Sequence, residues 1–147
     1  MPCGPTLGSV LYRRPVWSPL VTGAIIDLEA SSFLEPEEIA RLSTELASEK
    51  QARDIVLLDV REVCSFADYF VICTGETNRH IEAIWLDISE TLKRKGVRAY
   101  HNEGTPDSGW MLVDFGSVIV HVFSPSERDY YQLEKVWARA VPIVRIQ

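Results

Sequence analysis

Apolar residues fall into two spacings along this chain, and the spacings alternate. From Pro36 the sequence reads PEEIARLSTELASEKQARDI, with Ile39, Leu42, Leu46 and Ala47 on one helical face. Pro36 suits a first helical position, and Glu37 and Glu38 favour the positive end of the helix dipole. Residues 55–60 (IVLLDV) form a short continuous apolar run and read as a buried strand. REVCSFAD is a connection, and YFVICT (Tyr69–Thr74) is a second strand. GETN then opens a helix whose apolar positions Ile81, Ile84, Trp85, Ile88 and Leu92 follow i, i+3, i+4, i+7 and i+11. Lys93, Arg94 and Lys95 favour its negative end, and Gly96 stops it. Residues 97–101 predict a third strand, and NEGTPDSG a loop.

The run GWMLVDFGSVIVHVF predicts a hairpin. Gly116-Ser117 is a two-residue turn, because glycine at its first position tolerates positive φ. That register opposes Phe115 with Val118, Val113 with Val120 and Met111 with Val122, so this apolar face is the expected core. Alternation puts Trp110, Leu112, Asp114, Ile119, His121 and Phe123 on the second face. Asp114 and His121 become diagonal neighbours within reach of a polar contact, with the imidazole expected to be held by Asp114. SPSE follows and predicts a last helix: Ser124 as N-cap, Pro125 at the first position and Glu127 completing a capping box. Tyr130, Leu133 and Trp137 form its stripe, Tyr131 and Glu134 lie beside it, and Pro142 ends it. The expected architecture is α/β, a small mixed sheet of about five strands with helices.

The length of 147 residues fits one domain. It divides near residue 33. Residues 1–26 hold Arg13 and Arg14, no acid, and half of the prolines. They lack either periodicity, so 1–33 reads as a disordered extension, or as sequence from an upstream start codon, ahead of a domain over 34–147. A transit peptide is disfavoured, because no Ser-rich amphipathic helix is present. No apolar run approaches the ~20 residues that span a bilayer. Cys3, Cys64 and Cys73 are an odd set without CxxC, which points to a reducing compartment and away from zinc. Cys73 lies in an apolar run and reads as core. The net charge of -6 disfavours a broad phosphate-binding surface and suits a basic protein partner.

Three chemistries compete. Asp59, Asp68 and Asp114 are strand-associated carboxylates, and His80, His101 and His121 are candidate bases or ligands. Metal-dependent phosphoryl transfer needs carboxylates that hold two cations ~3.5–4 Å apart. Leu112 and Gly116 flank Asp114 at i−2 and i+2, so its strand offers one carboxylate only. The histidines show no metalloprotease spacing, and no G-x-S-x-G elbow is present. TGETNRH could place an anion at a helix N-terminus, but Glu76 repels one, and Thr77 or Asn78 reads as an N-cap. The third chemistry is recognition: Trp110, Phe123 and Tyr131 are large anchors on an acidic domain, or else simply core beneath a helix.

DIVLLDV, ADYFVICTGETNRH, EG…GWMLVDFGSVIVHVF and ERDYYQLEKVW occur in this order, over about residues 36–138. In these motifs the chain resembles the ribosomal silencing factor S family, also called Iojap-like. The resemblance implies a domain shaped like a nucleotidyltransferase but without its catalytic carboxylate pair, no enzyme activity and no cofactor. It implies a cytoplasmic repressor of translation that binds the large ribosomal subunit through ribosomal protein L-fourteen and blocks small-subunit docking. Organellar relatives act in large-subunit assembly. Little direct nucleic-acid contact and no membrane contact are expected, and a homodimer is expected as the alternative state of the free protein. Trp110 matches the family tryptophan implicated in the contact, and Phe115 and Tyr131 match positions near it. Asp114 and His121 join them through their place on the second face. The other reading is a nucleotide-binding or nucleotidyl-transferring enzyme of the same fold.

Overall fold

The computed structural model describes residues 34–147, so the expectations for 1–33 lie outside the described residues. Helix α1 spans Pro36–Glu49, and the Glu35 N–H donates to the Glu38 carboxylate at 2.9 Å across its first turn. Strands β1 (Arg53–Asp59) and β2 (Tyr69–Thr74) follow, then helix α2 (Asn78–Arg94). The Thr77 hydroxyl caps α2 by accepting from the His80 N–H at 3.0 Å. At its other end the Gly96 N–H reaches the Lys93 carbonyl and the Val97 N–H the Leu92 carbonyl. That pair of bonds is a Schellman closure.

Val97 is therefore spent closing the helix, which corrects the third strand. Strand β3 is His101–Glu103 rather than 97–101. Strands β4 (Trp110–Asp114) and β5 (Val118–Phe123) complete the hairpin, with Met111 opposite Val122 and Val113 opposite Val120 as the apolar pattern requires. Gly116 takes φ +98°, and the Phe115 N–H closes the turn on Val118 at 2.8 Å.

After β5 the expected single helix is two short pieces, α3 (Pro125–Tyr131) and α4 (Leu133–Val136). Gln132, at φ 46°, breaks them. The Ser124 hydroxyl accepts from the Glu127 N–H, but the Ser124 N–H is taken by the Gly109 carbonyl at 2.8 Å. The reciprocal half of the predicted capping box therefore has no free donor. Nor does Pro142 end a helix: it is the second residue of β6 (Val141–Ile146), a sixth strand. Proline is tolerated there because β6 is an edge strand.

The sheet order is β3-β4-β5-β2-β1-β6. Its one parallel pair, β2 with β5, lies near the centre, and all residues of both strands are buried. Both faces are covered. One packs against α1 and α2 through Ile39, Leu46, Ile81, Ile84, Ile88 and Leu92. The other is covered by the β1–β2 connection (Cys64, Phe66, Ala67) and by Leu133 and Ala140. Among the described residues no helix is long and apolar enough to cross a membrane.

Candidate functional site: an aromatic ladder at the start of the hairpin

Trp110 begins β4 because the segment before it is tightly built. Thr105 caps a 3-10 turn over Pro106–Ser108, and Gly109 follows with φ +83°. A side chain at Gly109 would also strike Glu127 Cγ at 2.6 Å and Ser124 Oγ at 2.8 Å. Only glycine lets this turn lie against the start of α3, and the contact sets where the indole projects.

The indole is half-buried. Its Nε1–H donates to His121 Nδ1 at 3.2 Å. Its ring centroid lies 4.8 Å from Phe123 and 4.5 Å from Tyr131. Beneath it His121 stacks on Phe123 and meets the edge of Phe70, which in turn meets Trp137. Outward, Tyr131 makes an edge contact with Tyr130. A continuous ladder of rings thus runs from a fully buried imidazole to Tyr131 (41% exposed) and Tyr130 (78% exposed). Trp110, Leu112 and Tyr131 line a cleft of about 200 Å³ with Glu103 and Glu127 among its walls.

The ladder explains the polar residues inside the strands. His121 is fully buried, and its pKa is pushed down to about 3, first by burial and then by the charge of Arg128. A neutral ring is what an accepting Nδ1 requires. The imidazole is thus held by Trp110 rather than by Asp114. Asp114, also buried, accepts the Gly116 N–H at 2.7 Å and so shapes the hairpin turn. Phe115 is buried on the opposite face, in the α1/α2 core. As surface contacts, Asp114, His121 and Phe115 are therefore corrected: the second face of the sheet is covered, and alternation cannot tell a solvated face from a second core. Trp110 and Tyr131 remain at the surface. Of the expected stripe Tyr130, Leu133 and Trp137, Leu133 is buried while Tyr130 points to solvent, since the break at Gln132 takes the two out of one helical register.

The groups weighed as catalytic are engaged separately. Asp59 is bonded to Arg61 at 2.6 and 3.0 Å, and this partner holds its carboxyl below the usual range. His80 bonds the Lys50 carbonyl, and His101 bonds Glu103. Glu76 pairs with Arg53 at 2.7 Å across the mouth of the TGETNRH turn. Glu103 and Glu127 wall the cleft beside Trp110, a placement the sequence reading did not give them. Their only signal was an acid on each side of the tryptophan in the chain.

The family model described as "Ribosomal silencing factor during starvation" matches residues 34–147. The chain belongs to the ribosomal silencing factor family. It is 36% identical to the ribosomal silencing factor of Bacillus subtilis over 107 residues, 73% of this chain and 91% of that one. It is 35% identical to the mitochondrial assembly of ribosomal large subunit protein 1 of Mus musculus, over 63% of this chain and 42% of that protein. A solved structure from Chromobacterium violaceum is similar with TM-score 0.69 and 35% identity, covering 71% of this chain and 88% of that one. The family's role is regulatory and concerns translation on the ribosome, and the chain shares its mixed α/β fold.

Proposed function

We propose that the domain binds the large ribosomal subunit through ribosomal protein L-fourteen, using the Trp110–Tyr131 surface. By occupying that face it would prevent the small subunit from docking and so lower translation in the cytoplasm. The observation that carries this reading is the half-buried Trp110, held from below by His121 and Phe123 and flanked by an exposed Tyr131. Anchors already fixed in one geometry lose little entropy on binding. The acids beside the cleft and the net charge of -6 favour a basic partner. The mouse relative's name associates that protein with the large subunit. His121 and Asp114 then act beneath the surface, the first orienting the indole and the second setting the hairpin.

The block is steric. An affinity of ~1 µM corresponds to about −8.2 kcal/mol, within reach of an ordinary interface with one or two aromatic anchors. Trp110→Ala is expected to weaken binding to purified L-fourteen by at least ~2 kcal/mol, roughly thirtyfold. Urea unfolding of the same variant gives the folded fraction by which the affinity is corrected. A folded fraction that binds normally would refute the assignment of this surface. In sucrose gradients the protein should travel with free large subunits. Equal occupancy of intact ribosomes would refute the block itself.

A further inference from the structure

On this acidic chain the end of α2 and the strap after it are basic. Between Glu90 and Glu103 lie Lys93, Arg94, Lys95 and Arg98 and no acid. All four are exposed, and no ion pair involves them among the described residues, whereas Arg41, Arg53, Arg61, Arg128 and Arg145 each have a carboxylate within 4.0 Å. The dipole of α2 accounts for cations in its last turn but not for Arg98, which lies beyond the Schellman closure. Lys93 and Arg98 converge on a cleft of about 270 Å³ walled by Trp85, Ser89 and Asn102, with Glu90 its one acid. Beneath the cleft, among the described residues, Trp85 Nε1 and Ser89 Oγ are buried without a hydrogen-bond partner, so its charge at the surface comes from Lys93 and Arg98 against Glu90 alone. Tyr100, 54% exposed, lies two residues past Arg98. The strap 97–100 leads into β3, the edge strand paired with the strand that Trp110 begins.

We propose that this end of α2 is a second foothold on the large subunit, one that takes backbone phosphates of ribosomal RNA. The inference rests on the proposed binding to that subunit. Exposed cations without ion pairs, two of them converging on one cleft and with an exposed tyrosine on the same strap, match what a phosphate backbone and its bases offer a protein. The patch is small, so the overall negative charge is no obstacle: it is a local contact beside the protein contact, and it adds the release of counterions condensed on the RNA backbone, a slope that scales with the phosphates contacted. The two footholds therefore differ in salt dependence.

The test compares Lys93→Gln/Arg98→Gln with Lys50→Gln/Arg79→Gln, two other exposed cations without ion pairs, so that both variants lose the same charge. Binding to isolated large subunits and to purified L-fourteen is measured across a salt series. The first variant should bind subunits several-fold more weakly and lose roughly 0.7–0.9 from the slope of log affinity against log salt for each phosphate contact removed. It should bind L-fourteen alone as the control does. An unchanged slope on subunits overturns the proposal. An equal loss on L-fourteen alone also overturns it, because the patch would then contact protein. Trp110→Ala in the same assay separates this failure from failure of the larger reading: normal binding by that variant removes the Trp110 surface while leaving the salt slope to judge the patch.

Discussion

Replacing Arg128 with alanine should unfasten α3 and α4 from the sheet. The guanidinium is nearly buried, 10% exposed, and meets Glu134, itself 29% exposed. It donates to both Glu134 oxygens, at 3.1 and 2.9 Å. It also donates to the Thr74 hydroxyl at 2.7 Å and to the Asp54 carbonyl at 2.8 Å. One side chain thus ties the start of β1 and the end of β2 to both short helices. Removing one partner of a buried pair costs ~3–5 kcal/mol. Arg145, 3.9 Å from Glu134, and the partial exposure of Glu134 place the expectation at the lower end, about 3 kcal/mol. For a domain of this size that is roughly a 12 °C fall in Tm. Urea unfolding of Arg128→Ala, Glu134→Gln and the double variant forms a thermodynamic cycle, and a coupling of at least ~1.5 kcal/mol is expected. Because Tyr131 rides on the same short helix, ligand binding should weaken beyond the loss of folded protein. Single-variant costs that add within ~0.5 kcal/mol would refute the argument that this cluster holds the helices.

Three further outcomes follow from the same geometry. His121 is neutral when folded, with a pKa near 3 against an ordinary 6.5, so between these values the unfolded chain binds a proton that the folded one does not. Stability should therefore fall as pH drops below about 6.5, at up to ~1.4 kcal/mol per pH unit, and His121→Gln should flatten that limb of a urea-midpoint profile. Glu134 is held below its usual pKa, first by its hydrogen bonds from Arg128 and then by the charges of Arg128 and Arg145. Its contribution is present above the unfolded value of about 4.5 and is lost as pH falls through the folded one, so Glu134→Gln should remove a separate, more acidic step from the profile. Gly109→Ala forces a side chain into Glu127 and Ser124 at positive φ, and should cost more than ~1 kcal/mol, read by thermal unfolding, while displacing Trp110.

Local pattern determined much of this protein. The period of Ile81–Leu92 placed α2, the continuous apolar runs placed β1 and β2, and the Gly116-Ser117 turn set the hairpin register that the structure shows. These features are carried by neighbours in the chain, so neighbours suffice to read them. Tertiary structure decided the rest. Strand β3 (HNE) has no apolar signal, because it is a short edge held by pairing with β4. Strand β6 was concealed by Pro142, which only an edge position permits. The last helix breaks at Gln132 with no glycine to announce it, and the Arg128 cluster pins the pieces that result. The site divides along the same line. The alternation of β4 and β5 brought Trp110 and His121 to one face, but whether that face meets water or a second core depends on what packs over it. That covering comes from residues 60–67 and 133–140, which lie outside the hairpin and have to fold back over it. Their packing buries His121 and Asp114, leaves Trp110 half in and half out, and sets Tyr131 beside it, because burial is a property of the assembled layers and not of the order of residues in one strand.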